Sequence, residues 1–142
     1  TNQITEAGPF FPSRAAAPGD GIIGGTSAGF WVQLLSTGQV RIRRLYPSST
    51  IAFTAIPTTF DPDAFHRLSS QVKGDTLTVL LDGQRLTFDQ AGHTVNSVRL
   101  TPAWEAATPK GRNRGAAGIA FSAEANRHQA GGQQARNIRV TP

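Results

Sequence analysis

The chain has 142 residues, a length that suits one domain around one core. Hydrophobic residues at 38%, charged residues at 16%, 15 Gly and 9 Pro give too little charge for a disordered chain and too many breakers for a helix bundle. The absence of Cys excludes disulfides, thiolate zinc sites and cysteine nucleophiles, while the net charge of +5 comes largely from scattered Arg, so a solvated basic surface is expected and nucleic acid is not.

Apolar and polar residues alternate with period two, and Gly, Pro, Asn and Asp recur between the runs. Strands are therefore predicted near Gly8–Ser13, Gly29–Leu35, Gln39–Tyr46, Thr50–Ile56, His66–Lys73, Thr76–Leu81, Gln84–Asp89, Ser97–Pro102, Gly115–Ser122 and Ala135–Val140. Short strands in that number imply an antiparallel two-sheet sandwich. The helix patterns at Glu105–Thr108 and Ser122–Arg127 are too short to carry architecture. The longest apolar runs, such as Phe30-Trp31-Val32, fall far short of the roughly 20 residues that cross a bilayer, so no membrane span is expected.

Two hairpins set registers. Between Leu81 and Gln84, Asp82-Gly83 is a two-residue type I′ signal, which puts Val79 opposite Leu86 and Leu77 opposite Phe88 on one apolar face. Upstream, a two-residue Thr37-Gly38 turn would bury Arg41 and Arg43 among Phe30, Val32 and Leu34, at a cost of several kcal/mol each. A three-residue turn, Ser36-Thr37-Gly38 with a left-handed Gly, avoids that cost. It gathers Phe30, Val32, Leu34, Val40 and Ile42 on the core side and Trp31, Gln33, Gln39, Arg41 and Arg43 on the other.

That second face has the chemistry of a sugar site. A sugar ring stacks its C–H face on an indole, and its hydroxyls accept from guanidinium and exchange hydrogen bonds with an amide. Trp31, Gln33, Arg41 and Arg43 supply all three, with Arg14, Tyr46 and Trp104 at the margins. The competing structural reading has the face covered, with Trp31 packed beneath the Arg stems. A second candidate is the 102–115 loop, where Trp104 sits among Glu105, Lys110, Arg112, Asn113 and Arg114 and either grips a ligand or folds back on the sheets.

No cofactor is expected, with calcium the one metal the sequence leaves open. Calcium takes six to eight oxygens, and only Asp61-Pro62-Asp63 offers a local carboxylate pair, a segment that reads equally as a turn. His66, His93 and His128 stand apart, with no two at zinc-ligand spacing, and are expected to be structural. Glycoside hydrolysis needs two carboxylates astride the bond, and no strand here carries two Glu or alternating acids. Nor is there a G-x-S-x-G elbow, and the glycine-rich 19–25 stretch lacks the helix of a phosphate cradle.

The order Gly29-Phe30-Trp31-Val32-Gln33-Leu34, Gly38-Gln39-Val40, Phe65-His66-Arg67-Leu68, Val72-Lys73-Gly74-Asp75 and Leu81-Asp82-Gly83 resembles the concanavalin A-like and laminin-G-like jelly rolls. The closing strand from Gly115 to Phe121 and the run Ala135-Arg136-Asn137-Ile138-Arg139-Val140 extend the resemblance from Phe10 onward. It departs from the family where Phe65-His66 replaces a usual Trp. Two branches fit best: carbohydrate-binding modules of glycoside hydrolases, and the 3-keto-disaccharide hydrolase domain. The resemblance implies a secreted or periplasmic bacterial protein that holds carbohydrate without cutting it. A glycoside-processing enzyme, or a sandwich that only supports a catalytic partner, are the alternatives. Family members carry strands before the segment matching Gly8–Ser13, so it also implies that opening strands come from another chain or a segment outside this one.

Overall fold

A computed structural model describes residues 5–13, 29–44, 49–100, 116–123 and 134–141. All of its regular structure is β. The strands are β1 (Thr5–Ser13), β2 (Phe30–Leu35), β3 (Val40–Arg44), β4 (Ser49–Phe53), β5 (Leu68–Lys73), β6 (Thr76–Leu81), β7 (Gln84–Arg85), β8 (Phe88–Gln90), β9 (His93–Val95), β10 (Val98–Arg99) and β11 (Ala116–Ala123). They form two antiparallel sheets: a larger one ordered β11-β1-β2-β3-β4-β8-β9, and a smaller one ordered β10-β6-β5 with β7 on β6.

The sheets close on one core. Phe30, Val32, Val40, Ile42, Ala52 and Phe88 from the larger sheet meet Leu77, Val79, Val98 and Leu100 from the smaller side, and all are buried. Leu34 and Leu86 pack against them, so the apolar face expected of each hairpin is the core face. Two sheets sharing one buried layer is a β-sandwich.

The first hairpin takes the three-residue turn. Leu34 pairs with Val40, Leu35 N donates to Gln39 O at 2.9 Å, and Gly38 N donates to Leu35 O at 2.9 Å. Gly38 has φ 82°, and a Cβ there would lie 2.5 Å from the Phe60 side chain, so both backbone and neighbour require glycine. Asp82 and Gly83 have φ 51° and 82°, the type I′ turn the sequence signals, with Leu81 opposite Gln84.

Three expectations need correction. Gln84–Asp89 is not one strand: the chain leaves β6 after Leu86 and enters the other sheet as β8, where Phe88 pairs with Val95. Leu77 instead faces Val98, so two short strands share one edge of β6. Phe88 still reaches the core, from the opposite side. Second, β9 was not anticipated; it follows a two-residue turn, Ala91-Gly92, with φ 53° and 80°, whose first position is one that Ala rarely fills. Third, residues 134–141 form no strand: Arg136 stands over the Phe65 ring at 3.9 Å, and Asn137, at φ 55°, interrupts the extended run. Ile138 and Val140 are left exposed.

Candidate functional site

Directly opposed residues in an antiparallel pair share a face. Because Val32 and Ile42 pair within the core, the flanking pairs Trp31 with Arg43 and Gln33 with Arg41 lie on the outer face of the larger sheet. The structure thus brings together all four residues predicted on the first hairpin. The registers extend these rows. Arg43 pairs with Thr50, and Arg41 pairs with Phe53, which pairs with Asp89, which pairs with Thr94. A bulge between Ile42 and Arg43 skips Ile51, which is why Thr50 and Phe53 both come to the outer face. One row therefore reads Gln33, Arg41, Phe53, Asp89, Thr94 across five strands.

Exposure changes steeply along that row. Trp31 and Gln33 are 1% and 0% exposed, Arg41 and Arg43 are half-buried, and Phe53 is 44% exposed with Asp89 and Thr94 open beside it. Trp31 is therefore packed in the fold and does not present an open platform. Its Nε1 donates to Gly8 O at 3.1 Å. That carbonyl lies where the β1–β2 register passes from Ala7 opposite Leu34 to Phe10 opposite Trp31, next to Pro9, whose nitrogen has no proton to give the ladder. A Cβ on Gly8 would sit 1.8 Å from Val32 O, so only glycine lets the two backbones approach. Gln33 Oε1 and Arg41 Nε are shut away from solvent. Among the described residues, the exposed aromatic on this face is Phe53.

Phe53, Asp89 and Thr94 were missed in the sequence because their placement depends on β4 pairing with β8, a contact between segments 36 residues apart. The alternation of exposed Phe53 with buried Ala52 and Thr54 was a local signal for Phe53 alone. Trp104 and its loop, Arg14, Tyr46, His128 and the glycine-rich stretch lie outside the described residues.

A second polar cluster lies at the entrance to β5. His66 Nδ1 is 2.7 Å from Asp82 Oδ2, and Nε2 is 2.7 Å from Asp61 O. Both partners are acceptors only, so the two contacts together favour the doubly protonated ring. The Asp82 bond first, and then the Asp61 carbonyl, raise the His66 pKa; in return the His66 bond, and then the Arg67 N–H, lower that of Asp82. Arg67 N donates to Asp82 Oδ1 and Asp82 N to Arg67 O, both at 2.8 Å. The ring stacks on Phe60 with centroids 4.3 Å apart. With both nitrogens engaged, His66 has none to offer a substrate proton. It ties the 57–66 loop to the β6–β7 turn.

Asp61 Oδ1 accepts from Asp63 N at 3.0 Å, so this pair closes a turn. Among the described residues no three His, Cys, Asp or Glu side chains come together as a metal site, and no helix is long and apolar enough to cross a membrane. In comparisons with protein families, curated proteins and solved structures, the chain matches none of them.

Proposed function

We propose that this chain is a non-catalytic carbohydrate-binding module, a concanavalin A-like jelly roll accessory to a secreted polysaccharide-degrading enzyme. The observation that carries the reading is the cross-strand row in which exposed Phe53 pairs with Arg41 on one side and with Asp89 on the other, where Asp89 Oδ1 accepts from Gly92 N at 3.0 Å. An aromatic face stacks on a sugar ring while a flanking donor and a flanking acceptor bind its hydroxyls. Relative to the face expected from sequence, the ligand shifts toward β4 and β8, away from enclosed Trp31 and Gln33. Export remains part of this proposal.

The test is retention of the purified chain on a panel of plant and microbial polysaccharides, beside Phe53→Ala and Arg41→Ala. Phe53 is half-exposed, so its truncation leaves the fold intact and removes the stacking surface. Retention on one glycan, lost in both variants with unchanged melting, supports the reading. Burial of Trp31 and Gln33 favours a second reading, a sandwich whose outer face is a packing surface supporting a catalytic partner. Failure to retain on every glycan selects it.

A further inference from the structure

Two hairpin turns, one from each sheet, meet the same stretch of chain. On the larger sheet, Pro57 and Phe60 lie so close to the β2–β3 turn that a Cβ on Gly38 would fall 2.8 Å from the Pro57 ring and 2.5 Å from Phe60. On the smaller sheet, His66 Nδ1 reaches Asp82 Oδ2 of the β6–β7 turn at 2.7 Å. The Phe60 and His66 rings stack between these two anchors, with centroids 4.3 Å apart and planes 22° from parallel. Residues 54–67 contain no strand, and residues 55–59 and 61–65 are exposed. The segment is therefore a strap joining the two sheets, at the end of the sandwich where Leu68 pairs with Leu81.

The two anchors respond differently to pH. The anchor on the larger sheet has no ionisable group, since Pro57, Phe60 and the turn residues Ser36, Thr37, Gly38 and Gln39 are all neutral. The His66 anchor depends on a proton. With Asp82 Oδ2 and Asp61 O both accepting at 2.7 Å, the ring needs two N–H groups. A neutral ring has one, and it turns a lone pair toward either the carboxylate or the carbonyl. The charged groups on the elements that meet here are Asp82 from the turn, Asp61 and Asp63 from the strap, Arg67 next in the chain, and Arg136, which stands over Phe65 at 3.9 Å. The Asp82 bond, then the Asp61 carbonyl, raise the His66 pKa, so the anchor is complete below 6.5 and is lost as pH rises through the raised folded value.

We infer that residues 57–66 form a proton-controlled strap: closed on both turns while His66 is doubly protonated, released from the Asp82 turn when the ring loses a proton, and held throughout by Phe60 on Gly38. The Asp82 side chain is 51% exposed, so water replaces the ring there. The sandwich stays folded, because Phe60, His66 and Asp82 all lie outside the buried core cluster. Release opens one end of the sandwich between the two sheets.

The experiment is residue-resolved amide hydrogen exchange of the intact chain by NMR at about pH 5.5 and about pH 8.5, corrected for the intrinsic pH dependence of exchange. It is repeated with His66→Gln, with Asp82→Asn and with His93→Gln as a control on the β8–β9 hairpin, each checked by thermal melting. Arg67 N–H, which donates to Asp82 Oδ1, and Asp82 N–H, which donates to Arg67 O, report on the released anchor. Val32 and Ile42 report on the core, and the nuclear Overhauser contact between the Phe60 ring and Gly38 reports on the retained anchor. The expected result is protection about fivefold lower at Arg67 and Asp82 at the higher pH, with the core amides and the Phe60–Gly38 contact unchanged. His66→Gln abolishes that difference, Asp82→Asn shrinks it, and His93→Gln keeps it; Asp82→Asn decides if His66→Gln does not fold. Equal protection at the two pH values, a difference of full size in the variant that decides, or a loss shared by Val32 and Ile42 overturns the inference.

Discussion

Replacing Asp82 with Asn tests the charge state of the His66 cluster. A neutral imidazole has one N–H, yet its two nitrogens lie 2.7 Å from a carboxylate oxygen and 2.7 Å from a carbonyl oxygen. The fold therefore favours the protonated ring and raises the His66 pKa above the ordinary 6.5, the Asp82 bond first and the Asp61 carbonyl second. Its contribution is complete below that value and is lost as pH rises through the raised folded pKa. For Asp82, held below 3.8, the contribution is complete above 3.8 and is lost as pH falls through the lowered folded pKa. The pair is thus most stabilising in the acidic window between the two. The His66 side chain is 17% exposed but that of Asp82 is 51%, so solvent screens the pair and the net value is about 1 kcal/mol. Asp82→Asn retains an acceptor for Arg67 N–H but loses the charge. It should cost about 1 kcal/mol near pH 5.5 in urea unfolding and almost nothing near pH 9, while the His66 ring titration moves down. A wild-type His66 titrating at or below 6.5, or a variant deficit of equal size across the whole pH series, refutes the reasoning.

Three further substitutions probe the frame. Gly8→Ala places a carbon 1.8 Å from Val32 O, so β1 and β2 must separate and the melting temperature should fall by on the order of 10 °C. Ala91→Asn relieves a non-glycine residue at φ 53° in the β8–β9 turn and should stabilise by about 0.5 to 1 kcal/mol in denaturant unfolding, ahead of Ala91→Val, which should destabilise. Gln90 bridges the sheets with its amide, donating to Arg99 O at 2.7 Å and accepting from Arg99 N at 3.0 Å. Gln90→Ala should cost about 1 to 2 kcal/mol and speed hydrogen exchange at Arg99.

What the sequence made legible was whatever two adjacent segments decide between themselves. The Ser36-Thr37-Gly38 turn followed from the cost of burying Arg41 and Arg43, and the Asp82-Gly83 turn from the residues that tolerate positive φ. The core residues of both hairpins followed from the same arguments. Partner choice beyond the hairpin did not. Leu77 faces Val98 because the chain after Leu86 crosses to the other sheet, and no local pattern distinguishes that crossing from a continued ladder. The Ala91-Gly92 turn was hidden because Ala occupies a position where Asn or Asp would have announced it. Ala135–Val140 alternates like a strand, yet alternation specifies only that one face wants burial and names no partner.

The same limit explains why the candidate site moved across the sheet. Period-two reasoning assigns a residue to a face, and it placed Trp31, Gln33, Arg41 and Arg43 together correctly. It has no information on whether that face is covered. β2 sits inside the larger sheet, and Phe30, Trp31, Val32 and Gln33 are buried in succession, so its alternation separates two buried environments and not core from solvent. Solvent reaches this face from β4 outward, where Phe53 opens beside Asp89. There Phe53 pairs with Arg41 on one side and Asp89 on the other, each one strand away, while Trp31 ties β2 to β1 through its bond to Gly8.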